Sequence, residues 1–233
     1  MGEVLTPDIC IIGAGCGGIT AAVAAAANGA SVVLVEKARM GGTHLHTGSV
    51  PSQALIACAR KAEALREMKI FGLNVPRPKP DFYRIHDHVQ DVINSAAANF
   101  SAERLNGLGI RVIQGTGRFE APHTLAVDKD VNVKARRFIL ATGSSAAIPS
   151  IPGLEEAPYL TNETIFDLLV CPKHLVVLGA TSTGLELAQA YRRLGADVTL
   201  LATTQPLAGE DPECTAIVLN QLAHEGIALR LNV

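Results

Sequence analysis

The chain has 233 residues, 48% of them hydrophobic, so it can bury the core of one large domain or of one and a half ordinary domains. Its formal net charge is −2 and no run of lysines or arginines occurs, which argues against a nucleic-acid-binding surface. Twenty-one glycines beside only 4% aromatic residues favour a protein of strands and helices with tight glycine turns.

The predicted elements begin with a strand, a helix and a second strand. Residues 7–15 form a short apolar run that ends in glycines, which predicts a buried strand and its turn. Residues 16–30 predict an alanine-rich helix that stops at Asn28-Gly29, and residues 31–36 predict another buried strand. A βαβ unit of this kind builds parallel sheets.

A mainly helical stretch comes next. Pro51 suits the first turn of a helix over residues 52–68, and a second long helix is predicted over residues 81–105, after a proline-rich connector. Residues 110–120 and 123–143 alternate apolar and polar side chains. This alternation predicts strands joined by polar hairpin turns.

After an irregular, proline-punctuated junction, the strand–turn–helix pattern starts again. Residues 173–180 predict a strand and a glycine turn, followed by a helix over residues 183–194 and a strand over residues 197–202. Residues 211–226 carry an aspartate cap, a first-position proline and a closing glycine, which predicts a helix, and residues 227–233 alternate like a strand. The chain therefore contains two βαβ starts.

Five cysteines are present, an odd number without any C-x-x-C spacing, which indicates neither a disulfide framework nor a zinc site. A reducing compartment is expected, and we predict a cytoplasmic protein. Residues 9–35 contain no charge and are long enough to imitate a membrane span, but glycines cluster within residues 13–18 and no positive charge precedes them. We therefore expect neither membrane insertion nor export.

The first glycine turn has the G-x-G-x-x-G pattern of a dinucleotide-binding loop. Gly13 permits the tight turn, Gly15 lets a pyrophosphate approach the backbone, and Gly18 lets the helix pack against the strand. The following helix N-terminus offers N–H groups to phosphates. Glu36 ends the next strand, 18 residues after Gly18, where an acid is expected to bind ribose hydroxyls. The alternative is a glycine-rich turn that binds no ligand.

Several further motifs, taken together, carry a family resemblance. They are IIGAGCGG (11–18), VEKARMGGT (35–43), GSVPS (48–52), FILATGS (138–144), IPGL (151–154), GLELAQAYRRLGADVTLLA (184–202), DPE (211–213) and EGI (225–227). With these motifs in this order, the chain resembles the pyridine nucleotide–disulfide oxidoreductases, and most of all their mercuric reductase and dihydrolipoamide dehydrogenase branch.

The resemblance implies an α/β fold with two Rossmann-like βαβ domains, the second of them incomplete. It implies an FAD-binding domain over residues 1–150, a connecting segment over residues 151–172 and a partial NAD(P)-binding domain over residues 173–233. The family continues further, into a C-terminal half with a dimerisation domain that this sequence does not contain. A homodimer is therefore expected only if that domain exists.

The resemblance also implies site residues. Those on the FAD side are Gly13, Gly15, Gly18, Glu36, Lys37, Gly42, Thr43, Thr142 and Gly143. Those on the nicotinamide side are Gly179, Gly184 and Glu186. We predict His44 and Glu186 as catalytic residues.

The family's redox-active disulfide is missing from the loop over residues 41–53. His44 and Ser49 hold the two cysteine positions, and neither side chain can form a disulfide. Because thiol–disulfide relay requires a thiolate, this chemistry is excluded at the loop. His44 could instead donate protons. With His46 it forms only an H-x-H pair, short of the three or four ligands of a zinc site, so no metal is expected.

Two further positions depart from the family pattern. Gln53 replaces the lysine that usually pairs with the glutamate at position 186, which leaves at best a hydrogen bond. In the second glycine turn, GATSTG over residues 179–184, Thr181 replaces the middle glycine and Ala202 replaces the ribose-binding acid. Binding of NADH or NADPH at this turn therefore stays open.

The sequence favours an FAD-dependent oxidoreductase that takes hydride from NADH or NADPH. Its electrons would pass to a small-molecule acceptor without a disulfide relay. The alternative is a non-catalytic dinucleotide-binding module or an inactive fragment of such an oxidoreductase. Neither nucleic acid nor a membrane is expected as a partner.

Overall fold

The computed structural model describes residues 2–76, 78–231 and 233 of a mixed α/β protein. The strands are β1 (Glu3–Leu5), β2 (Ile9–Ile12), β3 (Val32–Glu36), β4 (Ile110–Gln114), β5 (Gly117–Ala121), β6 (Thr124–Val127), β7 (Val131–Lys134), β8 (Arg137–Leu140), β9 (His174–Leu178), β10 (Asp197–Ala202) and β11 (Ala228–Leu231). The helices are α1 (Cys16–Ala27), α2 (Gly42–His46), α3 (Ser49–Glu67), α4 (Phe82–Ala97), α5 (Ala102–Gly107), α6 (Ser182–Arg193) and α7 (Pro212–His224).

The contacts group the chain into two units. The first comprises Met1–Pro51 and Asp91–Ile165, and the second comprises Ser52–Gln90 and Phe166–Val233. The helices α3 and α4 each pass from one unit into the other. The functional boundaries expected from the sequence, after residues 150 and 172, stay a prediction.

The first unit is built on a parallel sheet with strand order β4-β3-β2-β8. The strand β3 is buried along its whole length, as its run VVLV predicts for a strand covered on both faces. On one face Leu34 and Ile11 pack in a cluster with Ala22 of α1. On the other face Val33 packs in a cluster with Leu125 of the neighbouring β-meander.

That meander belongs to a second sheet, with strand order β1-β7-β6-β5. Its strands β5, β6 and β7 pair antiparallel, as the alternating pattern predicts, whereas β1 pairs parallel with β7. The three-residue strand β1 was not predicted. Its sequence EVL is too short to show a period of two, and its position depends on pairing with residues more than a hundred positions away.

The second unit contains a parallel sheet with strand order β11-β10-β9, the predicted second βαβ start. The helix α6 packs against β9 and β10 and buries Leu185, Ala188 and Tyr191. Asp211 caps α7 as predicted, because its carboxylate accepts hydrogen bonds from the N–H groups of Glu213 and Cys214, at 2.8 and 3.1 Å.

The single long helix predicted over residues 81–105 is wrong. The helix α4 ends at Ala97, a short 3₁₀ turn follows, and Ser101 takes an extended conformation with ψ 148°. Its hydroxyl accepts a hydrogen bond from the N–H of Arg104 at 3.2 Å and so starts α5. Serine competes for backbone groups inside a helix and favours the cap position, which explains the break.

The uncharged stretch over residues 9–35 forms the strand β2, the helix α1 and most of β3. None of the helices that the structure describes is both long and apolar enough to cross a bilayer.

Candidate functional site

The first glycine turn joins β2 to α1 and has little room for side chains. Gly13 has a φ of +106°, and a Cβ at this position would overlap the carbonyl oxygen of Ala141. A Cβ on Gly18 would overlap the carbonyl oxygen of Gly13. Both positions therefore require glycine, for the two reasons that the fingerprint predicts.

The middle of the same turn is open. A Cβ built on Gly15 or Gly17 would meet no atom within 4 Å. Gly15 is the N-cap of α1 and has no side chain to cap the helix, so the first-turn N–H groups face this space. Free N–H groups at the positive end of a helix dipole attract phosphate, and the turn therefore fits a dinucleotide pyrophosphate.

Glu36 lies buried beneath this turn, with 8% of its surface exposed. Its Oε2 accepts a hydrogen bond from the N–H of Ala14 at 2.5 Å, and its Oε1 accepts one from Ala38 at 2.7 Å. Sequence reasoning predicted a ribose contact and missed both backbone contacts. A carboxylate oxygen has a second lone pair, so capacity for a ribose hydroxyl remains. The neighbouring Lys37 is exposed.

The segment after β3 packs directly on the glycine turn. The N–H of Gly41 donates to the carbonyl of Ala14 at 2.8 Å, and Gly41 forms an isolated parallel bridge with Gly15. A Cβ on Gly42 would lie 2.9 Å from the Cα of Gly15, and Thr43 beside it is exposed. Gly41 was missed as a site residue, although the dipeptide Gly41-Gly42 was a signal for a close backbone approach.

Thr142 and Gly143 follow the strand β8, which pairs with β2. The N–H of Ala141 donates to the carbonyl of Ile12 at 2.8 Å, so the chain leaves β8 beside the glycine turn. Both residues are exposed at the carboxyl edge of the parallel sheet. Ligands bind at this edge in open α/β sheets.

His44 lies in the short helix α2, half-buried, with its ring centroid 6.0 Å from that of Phe100. The Nε2 atom of His46 lies 2.8 Å from the carbonyl oxygen of Met40. Among the described residues no three His, Cys, Asp or Glu side chains are grouped closely enough to hold a metal. Ser49 begins α3.

The five cysteines are all free, and three of them have thiols that burial holds protonated. Burial raises the pKa of Cys10 to about 12 and also raises the pKa of Cys58 and of Cys171. Cys16 and Cys214 are exposed. Because a thiolate is the attacking species, the three less exposed thiols are poor substitutes for a redox pair.

Gln53 on α3 and Glu186 on α6 line one small cavity of about 100 Å³ in the second unit, together with Arg60 and Arg193. Both Gln53 and Glu186 are exposed, and no hydrogen bond joins them among the contacts of the described residues. The hydrogen bond considered from the sequence is therefore not formed in this structure.

Arg193, at the rim of this cavity, is held by Glu225. Its Nε and Nη2 atoms donate to the two carboxylate oxygens at 2.8 and 2.6 Å. These hydrogen bonds, followed by the charge of Glu225, raise the pKa of Arg193 above its usual range. Burial works to raise the pKa of Glu225, but hydrogen bonds from Arg193 and Gln221 outweigh it and lower the pKa overall.

The second glycine turn repeats the backbone path of the first one. The N–H of Gly179 donates to the carbonyl of Leu201 at 2.8 Å, and a Cβ on Gly184 would lie 2.5 Å from the carbonyl oxygen of Gly179. Thr181 is the N-cap of α6 and accepts a hydrogen bond from the N–H of Gly184 at 3.3 Å. The threonine thus fills the place that is open in the first turn.

The loop after β10 closes over this second turn. The N–H of Leu207 donates to the carbonyl of Ala180 at 3.0 Å, and Leu207 has a φ of +48°. Leu207 was missed, since no sequence rule predicts a leucine in the left-handed region. Ala202, with 3% of its surface exposed, lies at the strand end that corresponds to Glu36.

A parallel sheet whose strand runs into a glycine turn and a helix N-terminus, with an acid at the end of the next strand, defines a dinucleotide-binding α/β protein. A family model described as "Pyridine nucleotide-disulphide oxidoreductase" matches residues 7–233. The chain therefore belongs to this family of FAD-dependent oxidoreductases.

Curated relatives and solved structures agree with this assignment. A mercuric reductase of Streptomyces lividans is 34% identical over 227 residues, covering 95% of this chain and 48% of the relative. A mercuric reductase of Shewanella putrefaciens is 36% identical over 213 residues, which cover 89% of this chain and 38% of the relative. The HOCl-induced flavoprotein disulfide reductase RclA from Escherichia coli matches with a TM-score of 0.81 and 26% identity, over 97% of this chain and 49% of that chain. The chain spans about half the length of these proteins or less.

Proposed function

We propose that this chain is the dinucleotide-binding part of an FAD-dependent oxidoreductase that takes hydride from NADH or NADPH. Its electrons pass to a small-molecule acceptor without a disulfide relay at residues 44 and 49. The observation that carries the proposal is the open N-terminal turn of α1, where Gly15 and Gly17 leave free space before unused N–H groups.

The residues that would hold FAD lie in the first unit. The backbone N–H groups at the start of α1 would bind the pyrophosphate, and Glu36 would accept a ribose hydroxyl. Thr43, Thr142 and Gly143 are exposed, and Gly42 packs next to Gly15. We assign all four residues to the FAD side. When bound, FAD supplies a two-electron acceptor for a nicotinamide hydride.

The loop over residues 41–53 determines which kind of electron acceptor can react, because it lacks a disulfide relay. An imidazole at position 44 and a hydroxyl at position 49 cannot store electrons as a disulfide. The acceptor must then react without this loop as a relay, and quinones, oxygen and one-electron acceptors meet this requirement. His44 would supply or take a proton in that step.

The nicotinamide nucleotide is assigned to the second glycine turn, at Gly179 and Gly184, with Glu186 on its nicotinamide side. With Ala202 at the strand end, this turn lacks a carboxylate that would repel a 2′-phosphate or bind a ribose. We propose cytoplasmic function, on the reducing compartment that the cysteine pattern favours.

One observation favours a second candidate, a dinucleotide-binding module without turnover. The Thr181 hydroxyl accepts a hydrogen bond from the N–H of Gly184. The Thr181 side chain lies where a pyrophosphate would approach the turn. A chain that binds FAD but does not bind a nicotinamide nucleotide would not turn over.

Anaerobic stopped-flow spectroscopy on the FAD-loaded chain tests both candidates. We expect the absorbance of the oxidised flavin to bleach on mixing with NADH or NADPH. Binding of FAD without bleaching would favour the non-catalytic module. Failure of the chain to bind FAD would overturn the proposal.

A further inference from the structure

The two glycine turns differ in one buried contact. In each turn the first glycine donates to the strand beside it, Gly13 to Val35 and Gly179 to Leu201, both at 2.8 Å. In each turn the next residue accepts a hydrogen bond from the loop that follows the second strand, at Ala14 and at Ala180. The N–H of Ala14 has a carboxylate partner, Glu36, while the corresponding strand end in the second turn is Ala202.

The carboxylate of Glu36 joins two separate segments. Its Oε2 binds the N–H of Ala14, inside the glycine turn, and its Oε1 binds the N–H of Ala38, in the segment that leads to Gly41. That segment in turn bonds back to the glycine turn, through the N–H of Gly41 and the carbonyl of Ala14. The turn, the carboxylate and the segment therefore form one closed hydrogen-bonded ring.

We propose that Glu36 is a positioning residue that builds the dinucleotide cleft before any ligand arrives. Its two oxygens fix the glycine turn and the segment over residues 37–42 against each other, so that the free N–H groups of α1 face a space of constant width. A carboxylate accepts at both oxygens, whereas an amide offers only one acceptor, so a single charge-bearing group is needed for both contacts.

This inference rests on the proposed function only in assigning the cleft to a dinucleotide. The ring of hydrogen bonds exists without a ligand, so its test uses the ligand-free protein. Hydrogen exchange resolved to single amides, by NMR, reports directly on the N–H groups of Ala14 and Ala38.

The test compares the wild-type chain with Glu36→Gln and with a matched control, Asp211→Asn. Asp211 is also a carboxylate that accepts from two backbone N–H groups, those of Glu213 and Cys214. We expect Glu36→Gln to speed exchange at Ala14 or Ala38 by about tenfold or more, the effect of losing a charge-assisted hydrogen bond. Both hydrogen bonds of Asp211 end at one oxygen, Oδ1, which an amide keeps, so Asp211→Asn should change exchange at residues 213 and 214 less than Glu36→Gln changes it at residues 14 or 38. It should leave residues 14 and 38 unchanged.

A second variant keeps the test valid if Glu36→Gln fails to fold. Ala202→Glu places a carboxylate at the register position that corresponds to Glu36, and we expect it to slow exchange of the Ala180 N–H. Unchanged exchange at Ala14 and Ala38 in folded Glu36→Gln would overturn the inference. So would unchanged exchange at Ala180 in folded Ala202→Glu.

A titration with FAD separates this inference from the proposed function. We expect Glu36→Gln to weaken FAD binding about tenfold or more, with the exchange of Ala14 or Ala38 already faster before FAD is added. Failure of the wild-type chain to bind FAD would overturn the proposed function while leaving the exchange result intact. Weaker binding with unchanged ligand-free exchange would assign Glu36 to ribose contact alone and overturn the positioning role.

Discussion

The hydroxyl of Thr181 accepts a hydrogen bond from the backbone N–H of Gly184 at 3.3 Å. This contact closes the N-terminus of α6, whereas the N-terminus of α1, with Gly15 at the same place, stays open. One side chain thus separates a helix end with a side-chain cap from one without it, although the two turns share their backbone hydrogen bonds.

Replacing the cap should improve nucleotide binding at the second turn. In Thr181→Gly the N–H of Gly184 is released and the space beside it is opened, and we expect NADH or NADPH to bind about tenfold more tightly. A glycine cap costs only a few tenths of a kcal/mol of stability, so folding should be preserved. Isothermal titration calorimetry measures the change. Ser182→Gly, one position further, is the control, and equal affinities for Thr181→Gly and the wild type would contradict the interpretation.

The close approach at Gly18 predicts that alanine is tolerated at position 17 but not at position 18. A Cβ on Gly18 would overlap the carbonyl oxygen of Gly13, whereas a Cβ on Gly17 would meet nothing within 4 Å. We expect Gly18→Ala to lower the free energy of unfolding by about 1–3 kcal/mol and to abolish FAD binding. Gly17→Ala should fold normally. Urea unfolding measures the stability of the two variants, and FAD titration measures their affinity. Equal stability and equal FAD affinity of Gly18→Ala and Gly17→Ala would contradict the prediction.

Cys16 reports on occupancy of the first turn. It is the first residue of α1 and is exposed beside the open space at Gly15, so a bound dinucleotide should cover its thiol. With FAD at about 100 times its Kd, we expect alkylation of Cys16 by iodoacetamide to slow by up to about 100-fold. Mass spectrometry follows the reaction. Cys214, also exposed, is the internal control, and equal slowing at both thiols would argue against binding at α1.

The pair formed by Arg193 and Glu225 predicts an acid-sensitive contribution to stability. The pKa of Glu225 is lowered overall in the folded state, because hydrogen bonds from Arg193 and Gln221 outweigh the effect of burial. The stabilisation is therefore complete above the ordinary value of 4.5 and is lost as the pH falls through the lowered pKa. At pH 7, we expect the free energy of unfolding of Glu225→Gln to be about 1–3 kcal/mol lower than that of the wild type.

This difference should shrink as the pH falls below 4.5. Urea unfolding at a series of pH values measures it. Glu210→Gln, at an exposed position, is the control and should follow the wild type. A difference between Glu225→Gln and the wild type that grows in acid would contradict the sign of the pKa shift.

Sequence patterns predicted the elements whose signals are local. The apolar run before Gly13, the alanine-rich helix and the Asp211-Pro212 start of α7 all appear where they were expected. These signals depend on periodicity and capping, which the chain carries within a few residues. The family was recognisable for a similar reason, because its glycine and acid positions follow one another in order.

What the sequence did not predict depends on contacts between distant residues. Glu36 was expected to face a ligand, but its binding to the N–H groups of Ala14 and Ala38 follows from the folded path of two segments. Leu207 takes a left-handed conformation, and its N–H donates to the carbonyl of Ala180, which lies far from it in the sequence. The break at Ser101 was missed because serine occurs both inside helices and at their caps, so the sequence alone does not distinguish the two positions.

The cradle at the first turn is built from main-chain atoms of the loop and from the carboxylate of Glu36, not from the side chains of residues 44 and 49. Residues 44 and 49 can therefore be exchanged without rebuilding the cradle. An engineer could graft other electron-carrying groups onto this loop, and natural drift could change the chemistry of the reaction while the scaffold persists.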